Sequence, residues 1–142
     1  MKKFVAVSAI AACISFTACA QELAASKVPV AARASFTKQY PGVVAKWEKE
    51  DRKYEANFKQ NSIAMSVLMD DKGAITELEM NIKVNELPAT VLAYVKEHYK
   101  GKTIKEGAKI TKANGTVNYE AEVSCKDVIF DASGKFIKEI KD

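Results

Sequence analysis

VPVAARASFTKQYPG (residues 28–42) and LPATVLAYVKEHYKG (residues 87–101) are two versions of one segment. An offset of 59 carries Ser26 to Asn85, Val28 to Leu87, Pro29 to Pro88, Ala32 to Val91, Phe36 to Val95, Tyr40 to Tyr99 and Gly42 to Gly101. Within each copy the apolar residues recur every fourth place, which puts them on one face of a helix. Proline near the start suits a first turn whose N–H has no intrahelical partner, and it biases Val28 away from helical geometry. The first helix is therefore expected from Ser26 or Pro29 to Tyr40. Pro41-Gly42 stops it, because proline cannot continue the ladder and glycine accepts positive φ. Lys100-Gly101 ends the second helix without a proline.

The duplication extends outward from these helices. An offset of 65 lays Tyr54-Glu55-Ala56 on Tyr119-Glu120-Ala121, and one of 61 lays Asp70 and Gly73 on Asp131 and Gly134. The changing offset places insertions and deletions between the matched blocks, in loops. Two copies are too few for a solenoid, so the reading is one domain over 28–142, built from repeat one (28–84) and repeat two (85–142).

Alternation of apolar and polar residues marks the strands. Val43, Ala45 and Trp47 share one face of 43–49, and Tyr54, Ala56 and Phe58 share one face of 54–59. Residues 63–69 keep Met65, Val67 and Met69 in phase. In 74–82, Leu78, Met80 and Ile82 alternate while Ile75 is out of step, so a bulge is expected near Thr76. Asp70-Asp71-Lys72-Gly73, Asn114-Gly115 and Asp131-Ala132-Ser133-Gly134 read as hairpin turns. The second half supplies strands over 104–112, 116–125 and 135–140, with a trimmed hairpin between Val123 and Asp131. The expected fold class is α+β, with two tandem repeats forming one antiparallel sheet of about eight strands and the helices on one face. Its other face is expected to be wet.

At 142 residues, 48% hydrophobic and 28% charged, the chain has ordinary globular composition. Met1-Lys2-Lys3 followed by the apolar run 4–16 reads as a secretory signal peptide over 1–20, cleaved between Ala20 and Gln21. The apolar run is short for a bilayer span of about 20 residues. Phe16-Thr17-Ala18-Cys19 also resembles a bacterial lipobox, which would make Cys19 the site of lipidation. The expected location is thus periplasmic or secreted, with a membrane-anchored lipoprotein as the alternative. Residues 21–27 read as a short tether. Without Lys2 and Lys3, 20 basic residues face 18 acidic ones, a net of +2, which gives no concentrated basic footprint for nucleic acid. Only Cys125 of the three cysteines would remain in the folded part, so no intramolecular disulfide is expected. It continues the phase of Tyr119, Ala121 and Val123 and reads as a small buried hydrophobe.

No constellation carries chemistry. His98 is the sole histidine, with no partners at metal-ligand or triad spacing. Asp70, Asp71 and Asp131 lie in four-residue turns, too short for a calcium loop of about twelve. Asn114-Gly115-Thr116 matches a glycosylation acceptor but is explained by the hairpin. The many carboxylates offer no recognisable pairing. Trp47, Tyr54, Phe58 and Tyr119 alternate as core residues facing the helices. No catalytic, cofactor-binding or metal-binding residue is assigned, and no cofactor is expected.

Taken together, Pro29 to Tyr40, Pro41-Gly42, Lys46-Trp47-Glu48-Lys49-Glu50, Tyr54-Glu55-Ala56-x-Phe58 and the Asp-x-x-Gly turns resemble the PepSY-like, β-lactamase-inhibitor-like (BLIP-like) family of exported bacterial proteins. The resemblance implies helices on an antiparallel sheet in tandem halves. It implies no catalytic residues, and fold alone does not fix function. Because related PepSY modules occur in protease propeptides, it points to a regulatory or protein-binding role. The expectation is an exported non-enzymatic binding module of the cell envelope, with a protein or peptide as partner. Inhibition or regulation of an envelope protease or β-lactamase is the alternative, and an enzyme with an unrecognised site the remote one. Membrane contact is expected only through a lipid anchor, and the oligomeric state is open.

Overall fold

The computed structural model describes residues 21–141; the signal-like segment, with Cys19 and Ala20, lies outside them. Nine strands follow one another in a single antiparallel meander, with every strand hydrogen-bonded to its neighbours in sequence. They are β1 (Gln21–Leu23), β2 (Lys46–Glu50), β3 (Lys53–Gln60), β4 (Ile63–Met69), β5 (Ile75–Ile82), β6 (Glu106–Lys112), β7 (Val117–Glu122), β8 (Lys126–Asp131) and β9 (Phe136–Lys141). Helix α1 (Val30–Gln39) joins β1 to β2, and α2 (Ala89–His98) joins β5 to β6.

Both helices follow the same local rules. A 3₁₀ turn, Ala25–Lys27 or Val84–Glu86, precedes each. Pro29 and Pro88 then cap them with φ of −51° and −52°, close to the angle the pyrrolidine ring imposes. Tyr40 N–H donates to Phe36 C=O and Tyr99 N–H to Val95 C=O, each at 2.8 Å, closing the last turn. Gly42 and Gly101 carry the chain away at φ +77° and +74°.

The apolar faces of the helices make two cores on one side of the sheet. Val28, Ala32, Phe36 and Tyr40 pack on Trp47, Ala56, Phe58, Val67 and Met69. Leu87, Val91 and Val95 pack on Ala121, Val123, Val128 and Phe130. The aromatic residues expected in the core are there. Phe36 meets Trp47 and Phe58 edge-on, at ring centroids 5.5 and 5.1 Å apart, while Tyr54 and Tyr119 flank the two clusters. Between the cores, β5 and β6 pair from Glu77↔Lys112 to Ile82↔Gly107, making the halves one sheet.

The turns also repeat. Asp70 Oδ1 accepts the backbone N–H groups of Lys72 and Ala74 at 2.9 and 2.8 Å, and Asp131 Oδ1 accepts those of Ser133 and Lys135, both at 2.9 Å. These aspartates build turns, as their spacing implied. A Cβ on Gly73 would meet the Ala31 carbonyl oxygen at 2.5 Å, so this turn docks on the first turn of α1. Asn114 likewise accepts the Thr116 N–H at 2.9 Å, with Gly115 at φ +84°. The bulge expected near Thr76 is present. Met69 pairs with Ile75 and Leu68 with Glu77, leaving Thr76 extra, and its hydroxyl donates to the Leu68 carbonyl at 3.1 Å.

Three expectations are corrected. Residues 21–27 are not a tether: Gln21, Glu22 and Leu23 pair with Lys49, Glu48 and Trp47 as β1, the ninth strand, and the 3₁₀ turn follows. Three residues are too short for a visible alternation; the edge of β2 orders them, and Leu23 packs against the first core. Cys125 is exposed rather than buried. Ser124 and Cys125 both have positive φ (54° and 59°), and Val123 N–H donates to Lys126 C=O at 2.9 Å, so they form a two-residue turn. The equivalent turn in repeat one is Asn61-Ser62, both at positive φ, and it carried the signal that Ser124-Cys125 lacked. Finally, the face away from the helices is not simply wet.

Candidate functional site

Residues alternating with the two cores point to the opposite face of the sheet. Six polar ones are buried although no helix among the described residues covers them: Glu55, Asn57, Ser66, Asn118, Glu122 and Asp127. Their burial follows from the shape of the sheet. One cavity of about 240 Å³ is lined by Glu50 on β2, Glu55 on β3 and each following strand as far as Lys138 and Ile140 on β9. Eight strands laid flat would span roughly 30 Å at about 4.8 Å per strand. A cavity this small touches all of them only because the sheet curls around it, which makes this face concave and the helix-bearing face convex.

The lining is strongly acidic. Glu50, Glu55, Glu77, Glu79, Glu120 and Asp127 contribute six carboxyl groups against the ammonium groups of Lys112 and Lys138, with Leu68, Ile110, Ile129 and Ile140 between them. Register adds a second feature. Glu22 lies opposite Glu48, and Glu48 opposite Glu55, so β1, β2 and β3 carry a cross-strand row of carboxyl groups. Such pairs destabilise a sheet when both members are ionised.

Burial sets the protonation of these groups. It pushes the Glu55 carboxyl up to about 8, with Glu79, Glu50 and Glu48 adding to the rise and a hydrogen bond from Ser66 opposing it. Glu55 is only 7% exposed, and its Oε2 has no hydrogen-bond partner. Glu79 is pushed up to about 7, first by burial and then by Asp127, Glu77 and Glu50. Glu48 is raised by burial and by Glu22 and Glu50, against Lys46. At neutral pH Glu55 therefore keeps its proton. Carboxyl groups displaced this far mark a face as a candidate site.

Sequence reasoning missed this cluster because each carboxylate reads separately as a solvated strand position. A faint trace existed in the glutamates filling the polar phase of several strands: Glu48 and Glu50, Glu77 and Glu79, Glu120 and Glu122. His98 is far from such chemistry. It is exposed on α2, stacked on Tyr94 at 3.9 Å, with Nδ1 3.0 Å from the Tyr94 carbonyl oxygen. Among the described residues no group of three or more His, Cys, Asp or Glu is placed to hold a metal ion. Gln21, at the expected cleavage point, is the first residue of β1. No helix among the described residues is long and apolar enough to cross a membrane.

The family model described as "Putative beta-lactamase-inhibitor-like, PepSY-like" matches residues 16–77 and 53–138. The chain belongs to this family. Solved structures share the PepSY-like fold. A "putative periplasmic" protein of Bacteroides eggerthii superposes with a TM-score of 0.69 at 14% identity, over 79% of this chain and 87% of that one. A DUF2874 family protein of Bacteroides uniformis gives 0.67 at 18%, over 78% and 87%. A BLIP-like protein of Bacteroides fragilis gives 0.59 at 22%, over 77% and 82%. Among curated proteins none matches.

Proposed function

We propose that this chain is an exported, non-enzymatic binding module of the bacterial cell envelope that holds a protein or peptide partner on the concave face of its sheet. The observation that carries this reading is the 240 Å³ cavity framed by eight strands, where buried polar side chains and four aliphatic ones meet with no covering layer among the described residues. A sheet face built only for solubility has no reason to bury glutamate and asparagine.

The test immobilises the chain from Gln21 onward and passes envelope extract of the native host over it. A saturable partner should be held by the wild type and by Lys38→Glu on the outer face of α1. Ile140→Arg, within the cavity, should release it while melting at an unchanged temperature. Equal retention by both variants would sink the proposal. The β-lactamase-inhibitor-like description of the family favours a second reading, that the partner is an envelope protease or β-lactamase and is inhibited. The held partner should then be a hydrolase losing activity at one equivalent, and undiminished turnover would exclude that reading.

Export follows the signal-like residues 1–20. Cleavage after Ala20 would release a chain whose first residue, Gln21, is already paired with Lys49 at the sheet edge. Intact mass of the protein from its host is expected to begin at Gln21 in the soluble fraction. A diacyl or triacyl mass beginning at Cys19 in the membrane fraction would replace this with the anchored lipoprotein.

A further inference from the structure

From the concave face we infer that the partner segment is a basic peptide, whose lysine or arginine side chain enters the cavity between Glu55 and Glu79 while its apolar neighbours lie on Leu68, Ile110, Ile129 and Ile140. The inference rests on the concave face being the working surface, and it names the chemistry that this surface selects.

Four observations converge on it. Carboxyl groups outnumber ammonium groups six to two in the cavity lining. Glu55, more than nine-tenths buried and facing that space, has an oxygen with no partner, as do both amide atoms of Asn57 beside it on the same face of β3. The row Glu22, Glu48, Glu55 continues the acidic track from the cavity to the β1 edge, at a cost that an added cation would relieve. The cavity is also smaller than the roughly 300–1,000 Å³ of small-molecule sites, which suits an inserted side chain better than a whole cofactor. A hard metal ion fits less well, because it needs about six or more converging oxygen ligands and no such group is formed among the described residues.

Seating a cation beside Glu55 and Glu79 favours their ionised forms, so binding should expel protons and tighten as pH rises. Titratable groups face this pair from most of the strands. They are Glu48 and Glu50 on β2, Glu77 on β5, Lys112 on β6, Glu120 on β7, Asp127 on β8 and Lys138 on β9. Beyond them, Glu106 and Glu122, the latter 3.1 Å from Lys105, close the other side of Glu79.

A labelled, acetylated and amidated peptide alternating lysine with valine serves as the probe, read by fluorescence anisotropy at about pH 6 and about pH 8.5. The wild type should bind about tenfold or more tightly at the higher pH, as release of at least one proton requires. Glu55→Gln with Glu79→Gln should lose both the affinity and its pH dependence, and Glu97→Gln on α2 should change neither. Gln mimics the protonated carboxyl, so the double variant is expected to fold. Equal binding of the peptide with glutamate in place of lysine would overturn the inference. So would wild-type binding that ignores pH and the double substitution, or displacement of the peptide by calcium or spermidine at comparable concentration. If the probe fails while Ile140→Arg still releases an envelope partner, the partner's chemistry has been misread and the binding face stands.

Discussion

Glu55→Gln is expected to make the folded chain more stable than the wild type at alkaline pH, by a few kcal/mol near pH 9, and to change little near pH 4. In the folded chain Glu55 holds its proton up to about pH 8, whereas an exposed glutamic acid releases it near 4.3. Between these values the native state binds more protons than the unfolded state, so stability falls as pH rises, and it levels off above pH 8. The full shift corresponds to at most about 5 kcal/mol at about 1.4 kcal/mol per pKa unit, and relaxation of the curled sheet will reduce it. Glutamine has nothing to ionise and escapes the penalty. Glu79 contributes a smaller effect of the same sign, through its rise to about 7. Urea midpoints at about pH 5 and about pH 9 measure the difference. Parallel pH profiles for wild type and variant would show that the Glu55 carboxyl is not desolvated in solution.

Removing one large core side chain should unfold both halves together. Phe36 and Phe130 are the aromatic anchors of the two cores, at 4% and 0% exposure. Truncating either to alanine is expected to cost about 3–5 kcal/mol from lost burial and the cavity left behind. Six residue pairs join β5 to β6, and the meander is continuous, so melting one half strips the other of its neighbouring strand. Trp47, the single tryptophan, reports on the first core. For Phe130→Ala its fluorescence should lose the native signal at the same denaturant concentration as far-ultraviolet circular dichroism, although the substitution lies in the second core. A tryptophan transition left at the wild-type midpoint would mean that the repeats fold independently.

The local features of this fold were legible in the amino-acid order because they depend on neighbours a few residues apart. The stripes from Val28 to Tyr40 and from Leu87 to Tyr99 gave the helices, proline and glycine bounded them, and Asp70, Asn114 and Asp131 gave the turns through bonds spanning two to four residues. Even the bulge at Thr76 showed, as a break in the phase of Ile75 against Leu78. The exposed turn at Cys125 did not, because Ser124-Cys125 lacks the residues that favour positive φ and the apolar phase runs straight up to it.

The concave site belongs to tertiary structure. Alternation tells which residues leave the core, so Glu48, Glu55 and Glu79 could all be placed on the far face. Whether that face is open or enclosed depends on how nine strands curl together, and strand periodicity carries no term for curvature. Register across strands then decides that Glu22, Glu48 and Glu55 stand side by side, although they are spread over more than thirty positions of sequence. Order along the chain thus determined the repeated helix-and-hairpin plan. Packing of the assembled sheet turned separate, ordinary glutamates into one desolvated acidic surface, because electrostatic energy follows distance and burial in space.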